Sequence, residues 1–242
     1  MPYPRQLHQK SGDVHKKIRI LCISDHIDPL IYSAGIKKRY HDIDLVISAG
    51  DLELRYYGFI VSSLNKPLLF VFGNHNLSHI AEYRIEYRRT MPPVKALGLT
   101  AQSFGSTYIG GRVINSNGLL IAGLGGSYNY NRGQNQFTEA AMFCRILKLV
   151  PALLFNRIFR GRWLDILVTH APPYGINDKD DTCHRGFKVF LIFLKVFKPA
   201  YLLHGHIHLY DRNANREHTF RATRVINVYS SYILEVLQRN VR

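Results

Sequence analysis

Seven short apolar runs, at 17–24, 44–49, 67–72, 118–124, 165–170, 201–204 and 224–230, constrain what this chain can fold into, because five of them end in polar groups of the same kind. The runs are four to eight residues long, rich in Ile, Leu, Val and Phe and bounded by turn residues, the pattern of strands buried on both faces. The segments 36–43, 59–65 and 186–197, ahead of the second, third and sixth runs, are suited to helices. That alternation predicts an α/β fold in which helices cover a buried sheet.

The run ends carry the chemistry. Asp25 follows the first, Gly50-Asp51 the second and Gly73-Asn74-His75 the third; His170 closes 165–170, and Gly205-His206-Ile207-His208 follows 201–204. In α/β sheets ligands sit in the crevice outside the carboxyl ends of the strands, so polar groups repeated there read as one site rather than as separate turns. Gly50, Gly73 and Gly205 allow the sharp turns that bring those side chains inward.

Length and composition narrow the class. At 242 residues and 46% hydrophobic, the chain suits one large domain, read here as 17–242 after a flexible segment 1–16. Segment 1–16 lacks the apolar core of a secretion signal, and charges interrupt every apolar stretch long enough to approach a membrane span. Cys22, Cys144 and Cys183 show no metal-ligand spacing and read as reduced structural thiols, which predicts a cytoplasmic protein. A net charge of +15 creates a field that draws phosphate-bearing partners, whether nucleotide, nucleic acid or anionic lipid. No aromatic and basic motif singles out nucleic acid.

Taken in order, Asp25, Gly50-Asp51, Gly73-Asn74-His75, His170 and Gly205-His206-Ile207-His208 resemble the signature of the calcineurin-like metallophosphoesterases, D-x-H, G-D, G-N-H, H and G-H-x-H. The resemblance spans 17 to about 210 and implies a four-layer α-β-β-α sandwich of the metallo-dependent phosphatase type. It implies metal-dependent phosphoester hydrolysis, with Asp51 bridging two divalent ions, Asp25 and His208 completing the first site, and Asn74, His170 and His206 completing the second. His75 would protonate the leaving oxygen. Elementary chemistry agrees with those roles: two cations neutralise a phosphoryl group that repels hydroxide, and they lower the pKa of a bound water to about 7. Mixed carboxylate, amide and imidazole donors suit Mn, Fe or Zn. A phosphodiesterase is preferred, because a poor alkoxide leaving group most needs a proton; a phosphomonoesterase and a non-catalytic scaffold with a degenerate first site are the alternatives.

The signature fails at one place. D-x-H requires His at 27, where this chain has Ile27, with His26 one step early. If the extended conformation persists, residue 27 shares the side of Asp25 and His26 faces away. The first site is then short of an imidazole and weak, holding its ion through Asp25, Asp51, His208 and water, unless the loop breaks the alternation and lets His26 or Asp28 in. The usual Asp after GNH is Asn76.

Other segments carry lesser expectations. His204 reads as a hydrogen-bonded core residue. The amide-rich stretch 125–137 suits a loop facing substrate, with Tyr128, Asn129 and Arg132 as contacts, and His184 and Arg185 could meet a phosphate from the loop after His170. Residues 139–160 form a basic amphipathic segment divided or kinked by Pro151, part of a cap or partner-binding insertion at about 127–162. It suits an anionic membrane surface, a lipid-linked substrate, or packing on the domain or a second subunit.

Overall fold

A computed structural model describes residues 17–77, 80, 105–211 and 214–238; the segment 1–16 lies outside the described residues. In chain order the elements begin with β1 (Lys17–Ser24), α1 (Ile36–Arg39), β2 (Leu45–Ser48), α2 (Leu54–Leu64), β3 (Leu68–Phe70) and β4 (Thr107–Tyr108). Next come β5 (Val113–Ser116), β6 (Leu119–Leu124), β7 (Ser127–Tyr128), β8 (Gln136–Phe137), α3 (Glu139–Leu147) and α4 (Val150–Arg160). The chain continues with β9 (Ile166–Thr169), α5 (Lys188–Phe197), β10 (Tyr201–His204), β11 (Glu217–Phe220), β12 (Thr223–Asn227) and β13 (Ser230–Leu237).

One sheet has the order β13-β1-β2-β3-β4, the other β11-β12-β10-β9-β6-β5, and β7 and β8 pair separately. The two-residue period of a strand explains the four layers. In β1, Ile18, Ile20 and Cys22 face the space between the sheets, while Leu21 and Ile23 face α1 and α2. In the second sheet Leu119, Ile121, Ile166, Val168, Leu203 and Ile226 fill that same inner space; Leu120, Leu167, Leu202 and Val225 face the outer helices α3, α4 and α5. Strands apolar on both sides can only lie between two covering layers, so the α-β-β-α arrangement follows from the runs themselves.

Three local expectations need correction. The helix at 36–43 forms only α1, a single turn ending before Tyr40. The helix at 59–65 begins earlier, at Leu54, and stops where Asn65 turns left-handed, its N–H bonded to the Val61 carbonyl. The run 224–230 is not one strand: β12 ends at Asn227, Ser230 has φ 62°, and β13 then crosses to the first sheet, antiparallel to the whole of β1. Pro151 falls in the first turn of α4, where its missing N–H costs nothing, so the basic segment is two helices joined at 148–149.

Parallel pairing of β1 with β2 and β2 with β3, and of β6 with β9 and β9 with β10, sends the carboxyl ends of each sheet's central strands the same way. The main-chain N–H of Asp25 reaches the Gly50 carbonyl, and that of Gly205 the His170 carbonyl. With His170 Nδ1 bonded to the Ala49 carbonyl across the sheets, the polar run ends meet at one edge of the sandwich.

Candidate metal centre

Asp25, Asp51 and His206 leave their strands in left-handed backbone, with φ of 62°, 57° and 67°. Non-glycine residues avoid that region, and such strain gathers where the surrounding structure fixes side chains for use. At Asp25 and His206 the chain makes a three-residue turn, His26 N–H to the Ser24 carbonyl and Ile207 N–H to the Gly205 carbonyl. Both Asp25 oxygens accept from the His206 N–H at 3.0 Å, locking the first run end to the last.

Buried side chains approach two of the glycines so closely that a Cβ does not fit. A Cβ on Gly73 would lie 2.0 Å from Asp51 Oδ1, and one on Gly205 2.4 Å from Asp25 Oδ2. These glycines make room for carboxylates as well as for a turn.

The donors converge. Asp51 Oδ1 accepts from the His75 N–H at 2.8 Å, leaving Oδ2 3.2 Å from His170 Nε2, which is 3.1 Å from Asn74 Oδ1. Ligand atoms of Asp25, Asp51 and His170 all lie within 4.8 Å of one another. Nδ1 of the fully buried His170 bonds the Ala49 carbonyl at 2.8 Å and must donate, so in a neutral ring Nε2 carries a lone pair. The Asp51 Oδ2 and Asn74 Oδ1 lone pairs then both face that of His170, at 3.2 and 3.1 Å, a spacing that suits donors to one cation.

Such a cluster needs a cation between its members. Without a metal the proton serves: burial opposes the His170 charge, yet Asp51 and Asp25 raise its pKa to about 9. Burial likewise opposes the Asp51 charge, but the His170 ring and the His75 N–H bring that carboxyl down to about 2. Burial and the charge of Asp51 push Asp25 upward. A divalent ion entering here would displace the His170 proton, and the carboxylate, amide and imidazole donors fit Mn, Fe or Zn.

His206 lies beside the cluster, its ring 4.9 Å from that of His170. Its Nε2 bonds the Cys183 carbonyl at 2.8 Å and so donates, leaving Nδ1 as the lone-pair donor. Burial, with His170 nearby, lowers its pKa to about 3, keeping it neutral and free to ligate. His208 is half-exposed, with Nε2 3.8 Å from Asp25 Oδ1. The His75 side chain is exposed beside the cluster.

The opening loop departs from the extended reading. The turn at Asp25 breaks the alternation; Ile27 packs against the helix-side core, and Asp28 caps the following turn by accepting from the Leu30 N–H at 2.9 Å. His26 is exposed near the Tyr229 ring, in a depression shared with Tyr210 and Arg216. The alternation fails, yet neither His26 nor Asp28 is drawn to the carboxylates.

Around the rim, Arg185 lies over the Tyr128 and Tyr174 rings at 5.5 and 5.3 Å, and the His184 ring is 5.5 Å from that of His206 while its Nδ1 pairs with Asp181. Asn129 instead accepts from the Arg132 N–H, closing a turn that points Arg132 into solvent. His204 is a core residue, with Asn177 at one ring nitrogen and the Gly205 carbonyl at the other.

Three positioning residues escaped the sequence reading. Tyr130 Oη accepts from Asn74 Nδ2 at 3.3 Å, and buried Asn135 donates to the Phe72 and Gly73 carbonyls at 3.1 and 2.6 Å. Cys183 fixes His206 through its carbonyl, a role its side chain does not announce. The amide-rich composition of 125–137 was the only signal for the first two.

A family model described as calcineurin-like phosphoesterase matches residues 18–210. No curated protein matches the chain. One crystal structure shares its fold at a TM-score of 0.63 and 12% identity, over 91% of this chain and 95% of its own. That of TT1561 of Thermus thermophilus does so at 0.57 and 14%, over 93% and 100%.

Proposed function

The chain belongs to the calcineurin-like phosphoesterase family, whose chemistry is metal-dependent phosphoester hydrolysis, and from that premise we propose that it is a phosphodiesterase with residues 17–242 as one catalytic domain in a cytoplasmic setting. The observation that carries this is the position of His170 Nε2, 3.2 Å from Asp51 Oδ2 and 3.1 Å from Asn74 Oδ1.

In this reading Asn74, His170 and His206 with Asp51 would hold one cation, and Asp25 and His208 with Asp51 would hold a second, weaker one for want of an imidazole at Ile27. Two divalent ions supply, when bound, charge neutralisation of the phosphoryl oxygens and a water that ionises near neutral pH. His75, exposed at the edge of the cluster and tied by its N–H to Asp51, gives its proton to the departing alkoxide as water adds to phosphorus, leaving an alcohol and a phosphomonoester. Arg185, preset by its two tyrosines, offers a fork to a phosphate oxygen, with Tyr128 and His184 beside it. Asn129 and Arg132 remain outer candidates on the same loop.

Hydrolysis of bis(nitrophenyl) phosphate by the purified chain in Mn²⁺ tests the reading. Turnover that disappears on chelation and returns with the metal is expected. Metal binding without turnover would favour the scaffold, for which Ile27 is the one supporting observation.

A further inference from the structure

We propose that the outer face of α3, α4 and α5 is a docking surface for an anionic phospholipid bilayer. Eight of the thirteen exposed large hydrophobic side chains among the described residues lie on these three helices. The inner face of each is spent on the second sheet, through Met142 and Ile146, Leu149 and Leu153, and Phe190, Phe193 and Leu194. What remains is outward, in pairs one turn apart: Phe143 with Leu147, Leu154 with Ile158 and Phe155 with Phe159.

The stripes adjoin. Glu139, at the start of α3, accepts from the N–H groups of Lys188 and Val189 at 2.8 and 3.1 Å, fixing α3 beside α5, and only two residues separate α3 from α4. On α5 the outward pair is Ile192 with Val196. Ile158 and Phe159, at 71% and 64% exposure, stand out furthest. Exposed apolar side chains gathered on one side of a folded chain mark an interaction site.

Charge selects the occupant. Along 139–160 and 188–197 there are six basic residues, Arg145, Lys148, Arg157, Arg160, Lys188 and Lys195, against Glu139 alone, whose carboxylate is already taken by backbone N–H groups. A second copy meeting this face would set like charges against like. Nucleic acid would satisfy the charges and leave the Phe, Leu and Ile side chains in water. An anionic bilayer satisfies both, apolar rings entering the acyl boundary while Lys and Arg extend to the headgroups.

The surface also borders the candidate site. Lys188 Nζ lies 5.0 Å from the Tyr174 ring, which Arg185 also covers, so docking would bring the loop beside His206 to headgroup level. The docking proposal does not depend on catalysis.

The test is co-sedimentation of the full chain with vesicles of phosphatidylcholine alone or mixed with phosphatidylglycerol, without added metal. Partition onto the mixed vesicles should exceed that onto neutral ones by about tenfold or more, and Ile158→Glu with Phe159→Glu should remove it, as should Ile192→Glu separately. The melting temperature and bis(nitrophenyl) phosphate turnover should be unchanged in these variants. Absence of partition, partition indifferent to the substitutions, or a lipid-free dimer that they dissociate would overturn the proposal. Since binding is read without turnover, its failure leaves the phosphodiesterase reading standing, and the reverse holds.

Discussion

Asp51→Asn should lose more than roughly 100-fold in kcat/KM, beyond the upper end of what removing a partner of a metal ligand costs. The substitution is close to isosteric and separates charge from shape. An amide oxygen at the same place still accepts from the His75 N–H, now at 2.8 Å, so the Gly73-Asn74-His75 loop keeps its anchor. What disappears is the negative charge between the two proposed cation positions, 3.2 Å from His170 Nε2. Metal affinity should therefore fall with activity, as read by Mn²⁺ titration, while the melting temperature of the metal-free chain shows that the fold survives. Activity within a few-fold of wild type would remove Asp51 from the centre.

His75→Ala should behave differently, because the proton it supplies matters in proportion to how poor the leaving group is. On an alkyl phosphodiester the loss should be roughly 10² to 10⁴ in rate, the usual worth of a positioned general acid. On a nitrophenyl diester, whose phenolate leaves without a proton, the loss should be far smaller. The ring is exposed and packs in no core cluster, so the substitution should leave stability within roughly 0.5 kcal/mol. Equal losses on both substrates would mean that His75 acts by charge or position rather than as the acid.

Much of the fold was legible because the runs are apolar on both faces. Strands such as 119–124 and 166–169 have no polar side to turn to water, and that alone implies layers on either side. The site was legible to the same depth, since the polar residues stand directly at strand ends and parallel strands deliver their ends together. Legibility stopped at the first turn. Nothing in Asp25, a non-glycine residue, announces a left-handed backbone, so whether the alternation would persist past it was not legible in the sequence. The crossing of β13 to the other sheet was hidden likewise, because the apolar run passes through Val228 without a break and only the φ of Ser230 divides it.

The supporting residues were obscure for another reason. Tyr130 and Asn135 belong to a loop whose composition fits any surface turn, and their meaning comes from Asn74 and Gly73, more than fifty positions away. Cys183 acts through its carbonyl, which every residue has. Asn129 and Arg132 have the right composition and bond each other. Side-chain type thus pointed to the candidate donors, and only tertiary contacts revealed what orients them.

Anomalous scattering from crystals grown with Mn²⁺ is the most direct measurement. A strong peak at coordination distance from Asp51, Asn74, His170 and His206 is predicted, with a weaker second peak by Asp25 and His208 and neither His26 nor Asp28 in contact. No peak among these side chains, with His170 Nε2 still bound to Asp51 and Asn74 through a proton, would contradict the metal centre.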